Sequence, residues 1–175
     1  MTTYISSALL FSTLLSLVSC SNNSQETTEE SQPPAQRTER VEATKDKLME
    51  NVVNEYLSIK NALVASEAET AHKGAVELLS MVDATKMPAL QQRTKEMAAV
   101  ENIDSLRVRF DSLSVALYEQ VKESSYSSQT LYKQYCPMAF DNRGAFWLSS
   151  EEESKNPYFG DKMLNCGRVE EEISF

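Results

Sequence analysis

Apolar residues recur along this chain with a helical period from Val41 onward. Leu48, Val52, Tyr56, Ile59 and Leu63 follow one another at spacings of four, four, three and four, so they stack on one face of a helix. The spacing predicts a core-facing helix ending near Ala65. Ser66-Glu67-Ala68-Glu69 has the pattern of a capping box and predicts the start of a second helix. The stripe of that helix is Ala68, Ala71, Ala75, Leu78, Leu79 and Val82, and its small early residues permit close approach to a neighbour. Met87-Pro88 interrupts the pattern. Proline suits a first helical position, so 88–100 is expected as a weaker helix with Leu90 and Met97 inward. Ile103, Leu106, Phe110, Leu113, Leu117 and Val121 then give a near-ideal stripe for a helix ending at Glu123.

After residue 126 the pattern changes and aromatic residues become frequent. Leu131–Phe140 and Gly144–Leu148 read as two short strands, with Asp141-Asn142-Arg143-Gly144 as turn residues that tolerate positive φ. Asn156-Pro157-Tyr158-Phe159-Gly160 reads as a turn, and Asp161 as the cap of a short helical turn carrying Met163 and Cys166. The runs Glu151–Glu153 and Glu170–Glu172 read as solvated charge. Tyr135, Phe146 and Trp147 are expected to seal the hairpin to the helices. The fold expected is mainly α: an antiparallel three- to four-helix bundle with a small C-terminal β-hairpin and turn module.

The apolar pattern also supplies a compartment. Residues 1–19 carry no charge, and Ala8–Val18 form an apolar segment too short to span a bilayer as a stable helix, which reads as a signal peptide. It ends in Leu17-Val18-Ser19-Cys20, which resembles the lipobox of bacterial lipoproteins, with Cys20 as the lipidated residue; the n-region departs from the usual pattern in lacking Lys or Arg. Residues 21–40 hold Ser, Thr, Gln, Glu and a Pro-Pro pair without large apolar groups, so they are expected as a disordered tether. The organisation expected is a leader over 1–19, lipidated Cys20 and tether over 20–44, and a domain over 45–175 whose C-terminal module spans 126–169. Such a chain would sit in the cell envelope, lipid-anchored and facing the periplasm or the cell surface. The net charge is −9 and the pI about 4.7. No basic patch is available to displace phosphate counterions, so nucleic acid is not an expected partner.

Candidate chemistry concentrates between Leu131 and Gly167, where two of the three cysteines and the only tryptophan lie. On an extended segment Cys136 and Met138 share a side, and on one helical turn Met163 and Cys166 share a face. Brought together, these four sulfurs would suit Cu(I) or a similar soft metal. The alternative is a structural Cys136–Cys166 disulfide, the ordinary fate of two cysteines in an exported domain, with the methionines as packing. His72, the single histidine, lies beside Lys73 and reads as solvent-facing rather than as a ligand. One histidine, no Gly-rich phosphate loop and no Cys-x-x-Cys argue against an enzyme.

Several runs together resemble domain-of-unknown-function family 3347. They are Tyr135-Cys136-Pro137-Met138-Ala139, Gly144-Ala145-Phe146-Trp147-Leu148-Ser149, Asn156-Pro157-Tyr158-Phe159-Gly160-Asp161-Lys162-Met163-Leu164 and Cys166-Gly167. The helical motifs Tyr56-Leu57, Lys60-Asn61-Ala62-Leu63-Val64, Arg109-Phe110 and Leu113-Ser114 are similar to it too, and the resemblance covers about residues 45–169. That family occurs as short exported proteins and lipoproteins, and as an extra domain on periplasmic adaptors of heavy-metal efflux pumps. The resemblance implies a metal-handling accessory without enzymatic activity, with a metal-efflux adaptor or pump as partner. Cys136, Met138, Met163 and Cys166 are the positions that match the family's sulfur motif. Ala139 stands where related adaptor domains often add histidine.

Overall fold

The computed structural model describes residues 34–175, with side chains from Ala43 onward; the leader, the lipidated Cys20 and the tether up to Pro33 lie outside the described residues. Four long helices come first: α1 (Pro34–Val64), α2 (Ala68–Met81), α3 (Pro88–Ala98) and α4 (Ile103–Ser124). A three-stranded antiparallel sheet follows, made of β1 (Leu131–Cys136), β2 (Ala145–Ser149) and β3 (Arg168–Ile173) in the order β2-β1-β3. The protein is thus mainly helical with a small C-terminal sheet.

The first helix begins earlier than expected. Pro34 occupies a first position, where its missing N–H costs nothing, and Ala35 to Val64 contains no Gly or Pro to stop the helix. Residues 34–44, assigned above to the tether, therefore belong to α1. Its exit also differs. Ser66 takes a left-handed conformation (φ 60°), its N–H donates to Leu63 O, and Glu67 N–H donates to Ala62 O. That is a Schellman end, which satisfies the last carbonyls of α1. The capping box does not form, because α2 starts after Glu67 without a side-chain cap and the Ser66 hydroxyl instead accepts from Arg107. The left-handed Ser125 closes α4 in the same manner, with Tyr126 N–H donating to Val121 O.

Consecutive helices pack on one another, and α4 also touches α1 and α2. Val52, Tyr56, Ile59, Leu63, Leu78, Leu90, Met97, Leu106, Phe110, Leu113, Leu117 and Val121 are all buried between them. Each large apolar side chain so buried contributes about 1.5–3 kcal/mol. Tyr56 stacks on Phe110 with ring centroids 4.9 Å apart.

The sheet lies against this core by one face. Register pairs Tyr135 with Phe146 and Gln134 with Trp147, so Lys133, Tyr135 and Phe146 share the helix-facing side. Phe146 meets Tyr118 of α4 edge to face, and Lys133 Nζ sits over both rings. The hairpin between β1 and β2 is expected, but it is shorter: Pro137 has no N–H and ends β1 at Cys136. Phe140, Asp141 and Asn142 then run through left-handed conformations to Gly144 (φ 78°), where a Cβ would collide with the Tyr135 hydroxyl. The third strand was not expected. Glu170–Glu172 lies in β3; Glu170 and Glu172 are exposed, as a solvated run should be, but the Glu171 carboxylate accepts from Tyr118 Oη and Lys122 Nζ of α4 at 2.8 and 2.9 Å.

A short chain of hydrogen bonds ties these layers. Leu148 N–H, on the outer edge of β2, donates to Tyr56 Oη (3.1 Å); Tyr56 Oη donates to Ser114 Oγ (2.7 Å), which donates to Phe110 O (2.8 Å). Burial pushes the Tyr56 phenol far above its ordinary pKa, so it stays protonated and keeps its donor role. Tyr158 Oη likewise donates to Phe146 O on the same edge.

Tyr56→Phe is expected to destabilise the protein by about 1–3 kcal/mol, read as a lower urea midpoint at unchanged slope, because the Leu148 amide is left buried without an acceptor. The Glu171 carboxyl is held below the ordinary carboxylate range, chiefly by the Lys122 hydrogen bond. Its stabilisation is therefore present above the unfolded-state pKa and is lost as pH falls through the lower folded-state value. Protection of the β3 amides should decline over that acidic window, less steeply in Glu171→Gln, and the effect should shrink in high salt because the pair is partly exposed.

Candidate functional site

The other face of the sheet carries the chemistry. Gln134 and Cys136 of β1 and Trp147 of β2 share it, and all three are fully buried. What buries them is the segment 150–167, which leaves β2, crosses the sheet and returns to β3. Gln134 organises that crossing. Its Nε2 donates to the carbonyls of Glu151, Glu152 and Glu153 at 2.8, 3.0 and 3.3 Å, and its Oε1 accepts from the Trp147 indole N–H at 2.8 Å. Two amide hydrogens serve three carbonyls, so one contact is shared.

Asn156 holds the two limbs of the segment together. Its Nδ2 donates to Cys166 O (2.7 Å), its Oδ1 accepts from Tyr158 and Phe159 N–H, and its own N–H donates to Leu164 O. The residue before Pro157 is thus a buried Asx turn rather than a surface bend. Gly167 passes so close to the sheet that a Cβ there would strike Ser154 Oγ and the Trp147 ring. Cys136 and Cys166 complete the closure as a disulfide, with Cα atoms 5.7 Å apart and 30 residues between them in sequence.

Arg107 fastens the segment to the helices. Its Nε donates to Pro157 O (3.0 Å), and its Nη2 donates to Leu63 O (3.2 Å) and Ser66 Oγ (2.9 Å). One buried guanidinium therefore joins the end of α1, the second turn of α4 and the covering segment. Beside it Tyr158 meets Phe110, Phe140 and Trp147 at centroid distances of 6.1, 5.1 and 5.8 Å. Lys60 of α1 is buried too, at 2 % exposure. Burial holds its ammonium below the ordinary lysine range, opposed by the nearby Glu151 carboxylate.

The four sulfur positions do not meet as expected. Cys136 is fully buried, whereas Met138, in the turn beyond Pro137, is 48 % exposed, so the two do not share a side. The extended segment that would have aligned them ends at Cys136. Met163 and Cys166 lie beyond a single 3-10 turn (Gly160–Lys162) rather than on one helical turn, and both are half-buried. Asp161 supplies no side-chain cap. Cys136 and Cys166 are bonded to each other, and among the described residues no group of three or more His, Cys, Asp or Glu is placed to hold a metal ion. His72 Nδ1 lies 3.0 Å from Val100 O at the end of α3. As they stand, these donors do not fit a soft metal ion, because neither cysteine offers a thiolate.

A family described as "Protein of unknown function (DUF3347)" matches the chain from Val52 to Gln129. Residues 52–129 are a DUF3347 match. The family is the one that the sequence motifs resemble, though the matched stretch is shorter than the 45–169 expected. DUF3347 here runs from the middle of α1 through α4 and stops before β1, so the sheet, the covering segment and all four sulfur positions lie beyond it. No curated protein and no solved structure matches the chain.

Gln134, Asn156 and Arg107 were not among the expected site residues. Arg107 did leave a trace, since the spacing from Ile103 to Arg107, Phe110 and Ser114 follows the buried face of α4. Replacing both cysteines by serine, or reducing the disulfide, is expected to lower stability by about 3–4 kcal/mol, because a loop of this length is released in the unfolded chain. Urea unfolding with and without reductant measures it, and the double serine variant should be indifferent to reductant.

Proposed function

We propose that the chain is a membrane-tethered lipoprotein of the cell envelope, and that its helical bundle and stapled sheet act as a non-enzymatic protein-interaction module of an envelope or efflux assembly. The Cys136–Cys166 disulfide carries this reading. Such a bond persists in an oxidising compartment, in agreement with the leader and with Cys20 as a lipid anchor. It joins one fully buried sulfur to a segment already held by Gln134, Asn156 and Arg107, which is the arrangement of a structural staple that keeps a surface rigid.

One observation favours a second reading, in which the reduced form takes a soft metal ion such as Cu(I). Met138 and Met163, both reachable by solvent, stand two and three residues from Cys136 and Cys166, so two-electron reduction of the disulfide would place two thiolates in short segments that also carry thioethers.

Alkylation of thiols at the moment of cell lysis, followed by metal analysis of the purified full-length protein, separates the two. No free thiol and no bound metal is expected at Cys136 and Cys166; two alkylated cysteines, or copper that is lost in the Cys136→Ser/Cys166→Ser variant, would overturn the first reading in favour of the second. Photo-crosslinking in intact cells from the exposed positions Val108, Val115 and Val169 is expected to give a discrete partner band from at least one of them. No band from any position removes the interaction role.

A further inference from the structure

The two edges of the sheet are treated differently. On β2 the outward Leu148 N–H and Phe146 carbonyl are taken by the hydroxyls of Tyr56 and Tyr158, so no strand can add there. On β3 the residues Arg168, Val169, Glu170 and Glu172 are exposed, and among the described residues no backbone hydrogen bond of this strand reaches anything but β1. An edge strand turns alternate N–H and C=O groups outward, ready to pair with another extended chain, and on β3 this alternation is interrupted once, at Glu170, where the register with β1 shifts by one residue.

We propose that β3 is a docking edge, to which an extended basic segment of a partner protein adds as a fourth strand. This rests on the interaction-module reading and names the partner's chemistry. Charge selects the occupant. Val169 and the half-exposed Phe175 offer apolar contact at either end of the strand, and between them lie three consecutive glutamates. Glu171 is engaged by Tyr118 and Lys122 on the helix side, which leaves Glu170 and Glu172 at the surface, Glu170 only in an exposed pair with Arg168. Such an exposed pair is weak, so an incoming cation competes for it readily.

A second copy of the chain meets this requirement only in registers that use Arg168, the single cation of the strand. An antiparallel pair of β3 strands centred on Glu171 sets Glu171 against itself and Glu170 against Glu172, and one centred between Glu170 and Glu171 sets those two against each other; sliding toward Val169 brings Arg168 opposite Glu172 or Glu171, the latter already held by Tyr118 and Lys122. A parallel pair in register opposes every glutamate to its own copy. Like charges directly opposite destabilise a strand pair, whereas opposite charges stabilise it. A strand with lysine or arginine at alternate positions gains from both exposed glutamates, and its main-chain bonds to β3 supply the rest of the affinity.

The test uses the full-length protein and a short acetylated peptide of alternating lysine and valine, with a glutamate-valine peptide as control. Peptide titration followed by fluorescence anisotropy, paired with amide hydrogen exchange, is expected to show binding of the lysine peptide alone, with new protection confined to β3. Glu170→Lys/Glu172→Lys should weaken it roughly tenfold, since two cross-strand attractions become repulsions. Both residues are exposed, so the variant should keep its urea midpoint and remain a valid comparison. Binding without β3 protection, binding indifferent to the charge reversal, no binding, or self-association that protects β3 would each overturn the proposal. The crosslinking experiment reports separately on the broader reading. A partner band from Val108 or Val115 with none from Val169 removes the β3 edge and leaves an interaction module that works through the helices.

Discussion

The arrangement of helices and sheet depends on a single buried amide. A strand at the edge of a sheet turns some N–H groups away from its neighbour, and in water they would be solvated; against a hydrophobic core they must find an acceptor. Leu148 N–H finds one in Tyr56 of α1, whose hydroxyl passes the chain of donors on to Ser114 and the carbonyl of Phe110 in α4. Those contacts set the distance between two helices and one strand at once. The neighbouring stack of Tyr56 on Phe110 then has only one orientation in which both rings pack and the hydroxyl still reaches its partners.

Once β2 is seated, the rest of the C-terminal module follows from closure. The sheet buries its helix-facing side on α4, and its other side needs a cover, which 150–167 supplies with the buried Tyr158 ring and a set of polar contacts. Gln134 draws in three successive carbonyls, Asn156 links the two limbs, and Arg107 holds Pro157 to the helix ends. The disulfide acts on a segment that already has these restraints, and it is a staple within the fold rather than a hinge. Trp147, whose indole N–H is satisfied inside by Gln134, is thereby removed from solvent and serves packing.

The helical part of this architecture was largely legible in the sequence, for a physical reason: the stripes of α1 and α4 are long, regular and strongly apolar, so period alone locates them. The boundaries were less so. Ser66 fits a capping box on paper, yet the left-handed turn that ends α1 claims its backbone and Arg107 claims its hydroxyl. β3 was hidden because it holds three consecutive glutamates and a register shift at Glu170, so Val169 and Ile173 fall on opposite faces and no period-two apolar pattern shows. The pairing of Cys136 with Cys166 was one of two readings that the residues left open. Local spacing described Cys136 with Met138, and Met163 with Cys166, as neighbours on regular elements, but Pro137 ends the strand and the chain beyond Lys162 is irregular. Side-chain direction in such stretches is set by tertiary closure, which no short window of sequence contains.

The unequal burial of the two bonded cysteines gives their bond a polarity. Cys136 is fully buried beneath the covering segment while Cys166 is half-buried, so the Cys166 end is the side of the bond nearer solvent, and a thiolate attacking there makes Cys136 the leaving group. Exchange with a small thiol or an oxidoreductase therefore enters by one route, and the mixed disulfide forms on the segment before the strand. Run in reverse, the same route closes the bond by attack of the Cys136 thiolate on a mixed disulfide at Cys166.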